Sequence, residues 1–271
     1  MINKYKFTEE TIEYDGHILH RIQALKKIGD VKKGDLGGWI EKEENLSQEG
    51  KCWIFDNAKV YGNAFVWSNV CIYDDAIVCD DTQVFGDVGI YKKAKIYGNS
   101  LVYGKNYISD NAEIYGYAEV NGNSIIRDNA EIYGYSSIYG DSIIRDNAKI
   151  YDNACICGNT NVYGNAKIYG EARIYDKCMI RDSAKVYGNA IVSGNAEITG
   201  NAEVNRIKDY LVFKNNWSSG RYFTWTLSNN MWCVGCFYGT GEELIKKAYA
   251  DSEESGRKYE KCVKFVEDLN K

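Results

Sequence analysis

From about residue 52 to residue 204 the chain repeats every six residues without an insertion, and so short a period leaves few folds open. The aliphatic position of each hexad holds Ile or Val in all 26 cases, from Ile54, Val60 and Val66 through Ile126 and Ile144 to Ile198 and Val204. Two residues earlier stands a mostly small side chain, such as Ala58, Ala94, Ser100, Ala130 or Ala184, with Val70, Val88 and Asn106 as exceptions in the first half. A small-x-aliphatic triplet is a short strand with one face inward. The pairs between triplets, such as Gly62-Asn63, tolerate the positive φ of a bend. β-branched residues and a Gly or Asn in nearly every hexad exclude helix. A chain that turns the same way every six residues coils into a prism whose coils bury their inner faces only against one another.

The unit [Ile/Val]-Tyr-Gly-Asn-Ala-x, as at Val60-Tyr61-Gly62-Asn63-Ala64, resembles the hexapeptide repeat of left-handed parallel β-helices, with tyrosine where glycine is common. The resemblance covers slightly over half of the chain. It implies left-handed coils of three hexads, between eight and nine of them for the hexads present. At about 4.8 Å between strands the solenoid would be roughly 40 Å long. The sequence supports an 18-residue coil by itself, because Ser124-Ile125-Ile126-Arg127-Asp128-Asn129-Ala130 recurs as Ser142-Ile143-Ile144-Arg145-Asp146-Asn147-Ala148. The predicted class is mainly β: a β-hairpin cap over residues 1–51, the solenoid over 52–204 and an α+β domain over 205–271.

Stacking residues 18 apart shows the outside of each face. One outward column, Lys59, Ile77, Lys95, Glu113, Glu131, Lys149, Lys167, Lys185 and Glu203, has the mixed charge of a solvated face. Another, containing Trp53, Tyr107, Ile125, Ile143 and Met179, is apolar for much of its length. Contiguous exposed apolar surface marks contact sites, so these five residues are the expected interface of a homo-oligomer, with a trimer favoured; the alternative is that the terminal segments fold over them. At one corner Tyr97, Tyr115, Tyr133, Tyr151, Tyr169 and Tyr187 stack, a ladder that cross-strand aromatic pairing explains without a ligand. Another edge carries Arg127, Arg145, Tyr163 and Arg181. Arginines one strand apart repel, so either an anion sits on Arg127, Arg145 and Arg181 or Asp128, Asp146 and Asp182 compensate them.

An open solenoid exposes unpaired strand edges at both ends, and the flanks can cover them. Asp15-Gly16 between Ile12-Glu13-Tyr14 and His17–Ile22 signals a hairpin. The segment around Gly34-Asp35-Leu36-Gly37-Gly38-Trp39 resembles the amino-terminal part of hexapeptide-repeat proteins of bacteria and their phages, a resemblance that implies no chemistry. Beyond residue 205, Tyr210–Phe213, Arg221–Leu227 and Met231–Val234 read as antiparallel strands, the last two joined at Asn229-Asn230. Two helices follow. Thr240 with Glu243 forms a capping box ahead of Leu244, Ile245, Ala248 and Tyr249; Asp251 with Glu254 opens a helix with a stripe of Tyr259, Cys262, Val263, Val266 and Leu269. The aromatic residues Trp217, Tyr222, Trp225 and Trp232 form a candidate surface for a protein partner, against the plain reading as a cap.

Acyl transfer is the default expectation for the hexapeptide fold, but fold does not fix function. As the resemblance implies, that chemistry uses a histidine base on a coil or an inserted loop. The 2 histidines here, His17 and His20, both precede the coils, and no loop interrupts residues 52–204. The related carbonic anhydrases need three histidine ligands, and the outward threonine pattern of ice-binding solenoids is missing. Cys233-Val234-Gly235-Cys236 offers half a zinc site without a second half, and its thiols, like Cys155 and Cys157, read as core packing. Gly239-Thr240-Gly241 is explained by capping. The chain has no proline, and its 33 basic and 38 acidic residues, net charge −5, give no case for nucleic-acid binding. No run of about 18 apolar residues suggests a membrane span, and Met1–Lys6 lacks a hydrophobic export stretch, so the expectation is a cytoplasmic protein of a bacterial cell. Nine scattered cysteines then read as reduced thiols. The expected function is a non-enzymatic scaffold or interaction protein, without cofactor or metal, which binds or blocks a protein partner. The alternatives are a protein that sequesters an anionic small molecule such as a nucleotide, and a divergent acyl- or nucleotidyltransferase.

Overall fold

The computed structural model describes residues 3–270, and in it the six-residue period becomes a parallel β-solenoid of about nine coils. One sheet has nine strands, from Trp53–Ile54 to Glu197–Ile198, and a second has eight, from Phe65–Val66 to Ile191–Val192. The third runs from Lys59–Val60 to Glu203–Val204 and is continued by three amino-terminal strands into a sheet of twelve. The register is one coil throughout: Ile90 pairs with Ile72 on one side and Ile108 on the other. Every inward Ile or Val from Ile54 to Val204 is fully buried, and with the inward alanines they form one continuous core. Some buried hydroxyls that replace alanine find carbonyls, Ser124 Oγ on Gly140 and Ser142 Oγ on Gly158, both at 3.0 Å, whereas Ser136 Oγ and Thr160 Oγ1 have no partner among the described residues.

The corners explain why aspartate recurs in the hexads. Asp128, Asp146 and Asp182 take left-handed backbone, with φ of 63°, 60° and 58°. From there each carboxylate reaches the N–H of the corner residue one coil on: Asp128 to Asp146, Asp146 to Gly164 and Asp182 to Gly200, at 3.0–3.2 Å. Aspartate is among the few side chains that both tolerate this region and bond locally.

The amino-terminal segment supplies β1 (Tyr5–Tyr14), β2 (His17–Ala24) and β3 (Leu36–Ile40). β1 and β2 are the expected hairpin, turning through Asp15 and Gly16 with φ of 50° and 79°. β3 pairs parallel to Lys59–Val60 and so extends the solenoid sheet in register. The paired glycines of the Gly37-Gly38 motif permit this approach. A Cβ on Gly38 would lie 2.5 Å from the Ala58 carbonyl oxygen and 2.5 Å from Ile54 Cγ2.

The carboxy-terminal domain has four antiparallel strands, β4 (Tyr210–Lys214), β5 (Tyr222–Thr226), β6 (Met231–Val234) and β7 (Phe237–Gly239). They are followed by α1 (Gly241–Asp251) and α2 (Glu253–Leu269). Thr240 caps α1 as expected, accepting from the Glu243 N–H while the Glu243 carboxylate accepts from the Thr240 N–H. The second cap is Ser252, one residue beyond Asp251, because its hydroxyl reaches the Ser255 N–H. Leu244, Ala248, Tyr259, Val263 and Val266 pack on the sheet, whereas Tyr249 and Leu269 are exposed; Tyr249 donates to Glu260 from the surface.

Candidate functional site

The arginine edge is internally neutralised. Arg127, Arg145 and Arg181 lie 3.5, 3.0 and 3.0 Å from Asp128, Asp146 and Asp182, the same carboxylates that accept corner N–H groups. The Arg145 guanidinium also stacks over the Tyr163 ring at 4.2 Å. Arg181 has a further partner in Glu197 at 2.8 Å and a contact to Cys233 Sγ at 3.7 Å, which makes it a fastener between the solenoid and the carboxy-terminal domain. Burial opposes the charge of Arg181, but its bonds and proximity to Glu197 outweigh that and hold its pKa above the usual arginine value. For Asp182, burial alone would raise the carboxyl; the Thr199 hydroxyl, the Gly200 N–H and Arg181 together keep it below the usual carboxylate range. An added anion would therefore compete with carboxylates already in place.

The apolar outward column is covered at both ends. Trp53 is fully buried beneath the amino-terminal cap, edge-on to Tyr5 at 6.4 Å, and so is core rather than interface. At the other end β5 approaches Glu197–Ile198, and the Thr224 hydroxyl accepts the Glu197 N–H at 2.9 Å. Met179 and Ile143 are half-buried, while Tyr107 and Ile125 remain 42% and 37% exposed. On a different edge of the same two middle coils, Tyr117 and Tyr135 are 54% and 63% exposed and stack with centroids 4.8 Å apart. They were legible as an interruption of a polar corner column, Asn63, Asp81, Asn99, Tyr117, Tyr135 and Asn153, which the inward and face columns do not display.

The half-buried ladder from Tyr97 to Tyr187 is continuous, with centroid spacings of 4.8–5.1 Å and planes within 6°. The hydroxyls of Tyr97, Tyr115 and Tyr187 reach Glu113, Glu131 and Glu203 on the mixed-charge face at 3.1, 3.4 and 3.3 Å. The ladder forms part of the surface of the rod, and at its amino-terminal end Tyr97 lines an open groove of about 550 Å³ with Tyr14, Tyr61 and Glu113.

The aromatic residues of the carboxy-terminal domain separate into core and surface. Trp225 and Trp232 pair across β5 and β6 and are buried with Phe223 under the two helices, so neither presents a surface to a partner. Trp217 is half-buried against Phe223 and Tyr259. Tyr222 is exposed and lines an open groove of about 440 Å³ with Arg221, Lys247, Tyr238, Tyr259 and the β6–β7 turn. That turn corrects the expectation for Cys233 and Cys236. Gly235 and Cys236 form its two residues, so Cys233 is buried on the strand beside Arg181 and Cys236 is exposed at the groove. Cys155 and Cys157 also depart from the core: they flank buried Ile156 on the outer surface, half-buried, with their sulfurs 3.3 Å apart. Burial, then the hydrogen bond shared with Cys157, pushes the Cys155 thiol up to about 12.

Both histidines sit in the amino-terminal hairpin. His17 Nδ1 lies 2.9 Å from Glu41, and His20 stacks on Phe7 at 4.8 Å. Among the described residues no three His, Cys, Asp or Glu side chains converge as a metal site, and no helix is long and apolar enough to cross a membrane.

No protein-family model matches the chain. Over 77 aligned residues it is 39% identical to a protein of Escherichia coli (strain K12) named "Uncharacterized acetyltransferase YdcK". The match covers 25% of this chain and 24% of that protein, so the chain spans about a quarter of the relative's length. Repeat, register and partial relative fit together in one description: the chain carries a hexapeptide-repeat β-solenoid, closed at one end by a β-hairpin and at the other by a small α+β domain.

Proposed function

We propose that the protein is a non-enzymatic scaffold that self-associates as a trimer through its middle coils and holds its carboxy-terminal domains toward a protein partner. The observation that carries this reading is the pair of exposed patches at one height on the rod. Tyr107 and Ile125 lie on a face, Tyr117 and Tyr135 on a different edge, and all four belong to the same two coils. Docking the face patch of one copy on the edge patch of the next requires a rotation about an axis parallel to the rod and no translation along it. Such a heterologous contact closes into a ring rather than a filament, and a triangular cross-section suits three copies. The two caps also support a finite rod, since they block end-to-end growth. The resemblance to proteins of bacteria and phages favours a bacterial or phage setting in which the trimer binds or blocks a host factor.

A second reading, acyl transfer, draws on the name of the partial relative. It lacks support from the coils, which contain no histidine. Sedimentation velocity of the wild-type chain and of Ile125→Glu and Tyr135→Glu separates the two. The scaffold reading expects a trimer that both substitutions reduce to monomer with the fold intact. A wild-type monomer, or a trimer indifferent to both changes, would overturn it, and saturable binding of acetyl-CoA would favour the enzyme.

A further inference from the structure

On the solenoid the three edge arginines have carboxylate partners, as do Lys149 with Glu131 and Lys185 with Glu203 at 2.7 and 2.8 Å. The groove in the carboxy-terminal domain instead gathers two cations without ion pairs in one concavity. Arg221 and Lys247 line it, no aspartate or glutamate does, and neither cation makes an ion pair among the described residues. Of the acids on α1, Glu243 is held by the Thr240 N–H at 2.8 Å, while Asp251, at the end of the helix, is near enough for its charge to act on Tyr259. Lys214 adds a third positive charge above the Tyr222 ring, 5.6 Å from its centre. In a chain of net charge −5 this local surplus does not follow from overall composition.

The neutral groups of the groove point the same way. The buried Asn215 amide donates to the Tyr259 hydroxyl at 3.0 Å and to Ser218 Oγ at 2.9 Å, while its carbonyl accepts the Ser218 N–H at 2.9 Å. Tyr259 accepts there and keeps its own hydrogen to donate. Tyr238 likewise accepts from Asn229 Nδ2 at 3.1 Å. Two cations and the side chains of Tyr222, Tyr238 and Tyr259 thus line a cavity of about 440 Å³ that has no lining carboxylate, beside a satisfied buried amide. The volume lies within the range of small-molecule sites, which combine apolar or aromatic walls with a few convergent polar groups. Charge-assisted bonds from a guanidinium and an ammonium select phosphate or carboxylate, and tyrosine faces suit a planar ring.

We propose that this groove binds a small organic anion with a planar ring, its phosphate or carboxylate held by Arg221 and Lys247 and its ring by Tyr222. The site is independent of the trimer proposed above, since every lining residue belongs to the carboxy-terminal domain.

Isothermal titration of the full chain tests this with 1-naphthyl phosphate and 1-naphthoate as ring-bearing anions. Inorganic phosphate supplies the anion without the ring, and 1-naphthylmethanol the ring without the anion. The expected result is one saturable site per chain for a ring-bearing anion, weakened at least about tenfold by Arg221→Ala or Lys247→Ala, with each half-probe weaker than the whole. Phosphate binding better than carboxylate, or the reverse, identifies the headgroup. Arg145→Ala, on the solenoid edge, is expected to leave binding unchanged. The proposal fails if neither ring-bearing anion binds up to millimolar concentration, if the neutral alcohol binds as tightly, or if Arg145→Ala abolishes binding while the groove variants do not. Arg221 and Lys247 are exposed, so their removal leaves the core intact; circular dichroism of each variant checks that.

Discussion

The two ends of the solenoid solve the same problem by opposite means. Bonds run both ways between neighbouring coils of a parallel ladder: the Trp53 N–H reaches forward to the Val70 carbonyl, and near the last coil the Ile191 carbonyl faces forward to accept from the Tyr210 hydroxyl. Each end of the solenoid therefore presents donors and acceptors in alternation. At the amino-terminal end backbone answers backbone: the N–H groups of Trp39, Glu41 and Ser47 reach the carbonyls of Ala58, Val60 and Val66. The buried Lys4 ammonium adds bonds to the Cys52 carbonyl at 3.0 Å and the Glu49 carbonyl at 3.3 Å. At the carboxy-terminal end side-chain oxygens answer instead. The N–H groups of Ser193, Glu197, Glu203 and Asn205 go to Tyr210 Oη, Thr224 Oγ1, Ser228 Oγ and Asp209 Oδ2. Strand addition prolongs the sheet, whereas side-chain capping stops it, as capping side chains satisfy the first N–H groups of a helix. The difference predicts that the amino-terminal cap tolerates little change in backbone approach and that the carboxy-terminal cap is assembled from separable contributions.

The largest effect is expected at the close approach of β3. In Gly38→Val the new side chain must enter space held by the Ala58 carbonyl and Ile54, and overpacking of this kind costs about 3 kcal/mol or more. Denaturant unfolding should show that loss, with the hairpin detached. An unchanged midpoint would mean that β3 does not dock as described. Thr224→Val, nearly isosteric, removes only the acceptor of the Glu197 N–H and should cost about 1 kcal/mol, with faster hydrogen exchange at that amide while Ser193 and Glu203 stay protected. Loss of all protection together would show that the cap is one cooperative unit.

The smallest effect is a response to acid at the same end. The Asp182 carboxyl is held below its ordinary value despite burial, so its contribution is present above the unfolded value near 3.9 and is lost as pH falls through the lower folded one. Protection of the Gly200 N–H, which bonds to Asp182, should therefore persist at neutral pH and decline only in strong acid. In Asp182→Asn that acid-dependent step should vanish. At the opposite end burial lowers the Lys4 pKa, so stability there should rise with pH toward the ordinary lysine value near 10.4.

The solenoid was legible because its rule is local. One inward residue in two, and a bend every six, are written in each hexad, and every inward Ile or Val is buried as the period requires. The 18-residue register followed from a duplicated coil, and the Arg–Asp pairing at 127–128, 145–146 and 181–182 from adjacency on one corner. Burial that depends on distant segments was not written there. Trp53 stands in an outward column and is core only because the chain returns over it through Tyr5. Trp225 and Trp232 share a sheet face that α1 and α2 cover, while Thr224 and Cys233 on the other face meet the last coil. Alternation along a strand distinguishes two faces without saying what covers either. The groove at Arg221 and Lys247 gathers residues from a loop and a helix 26 positions apart, and no motif marks such a meeting in advance.

The central claim, a scaffold that closes on itself through its middle coils, is tested most directly by native mass spectrometry of the wild-type chain. The account predicts three copies in the complex, dissociating to folded single chains when Ile125 or Tyr135 is replaced by glutamate. A wild-type spectrum containing single chains alone, at concentrations where the protein remains folded, would contradict it.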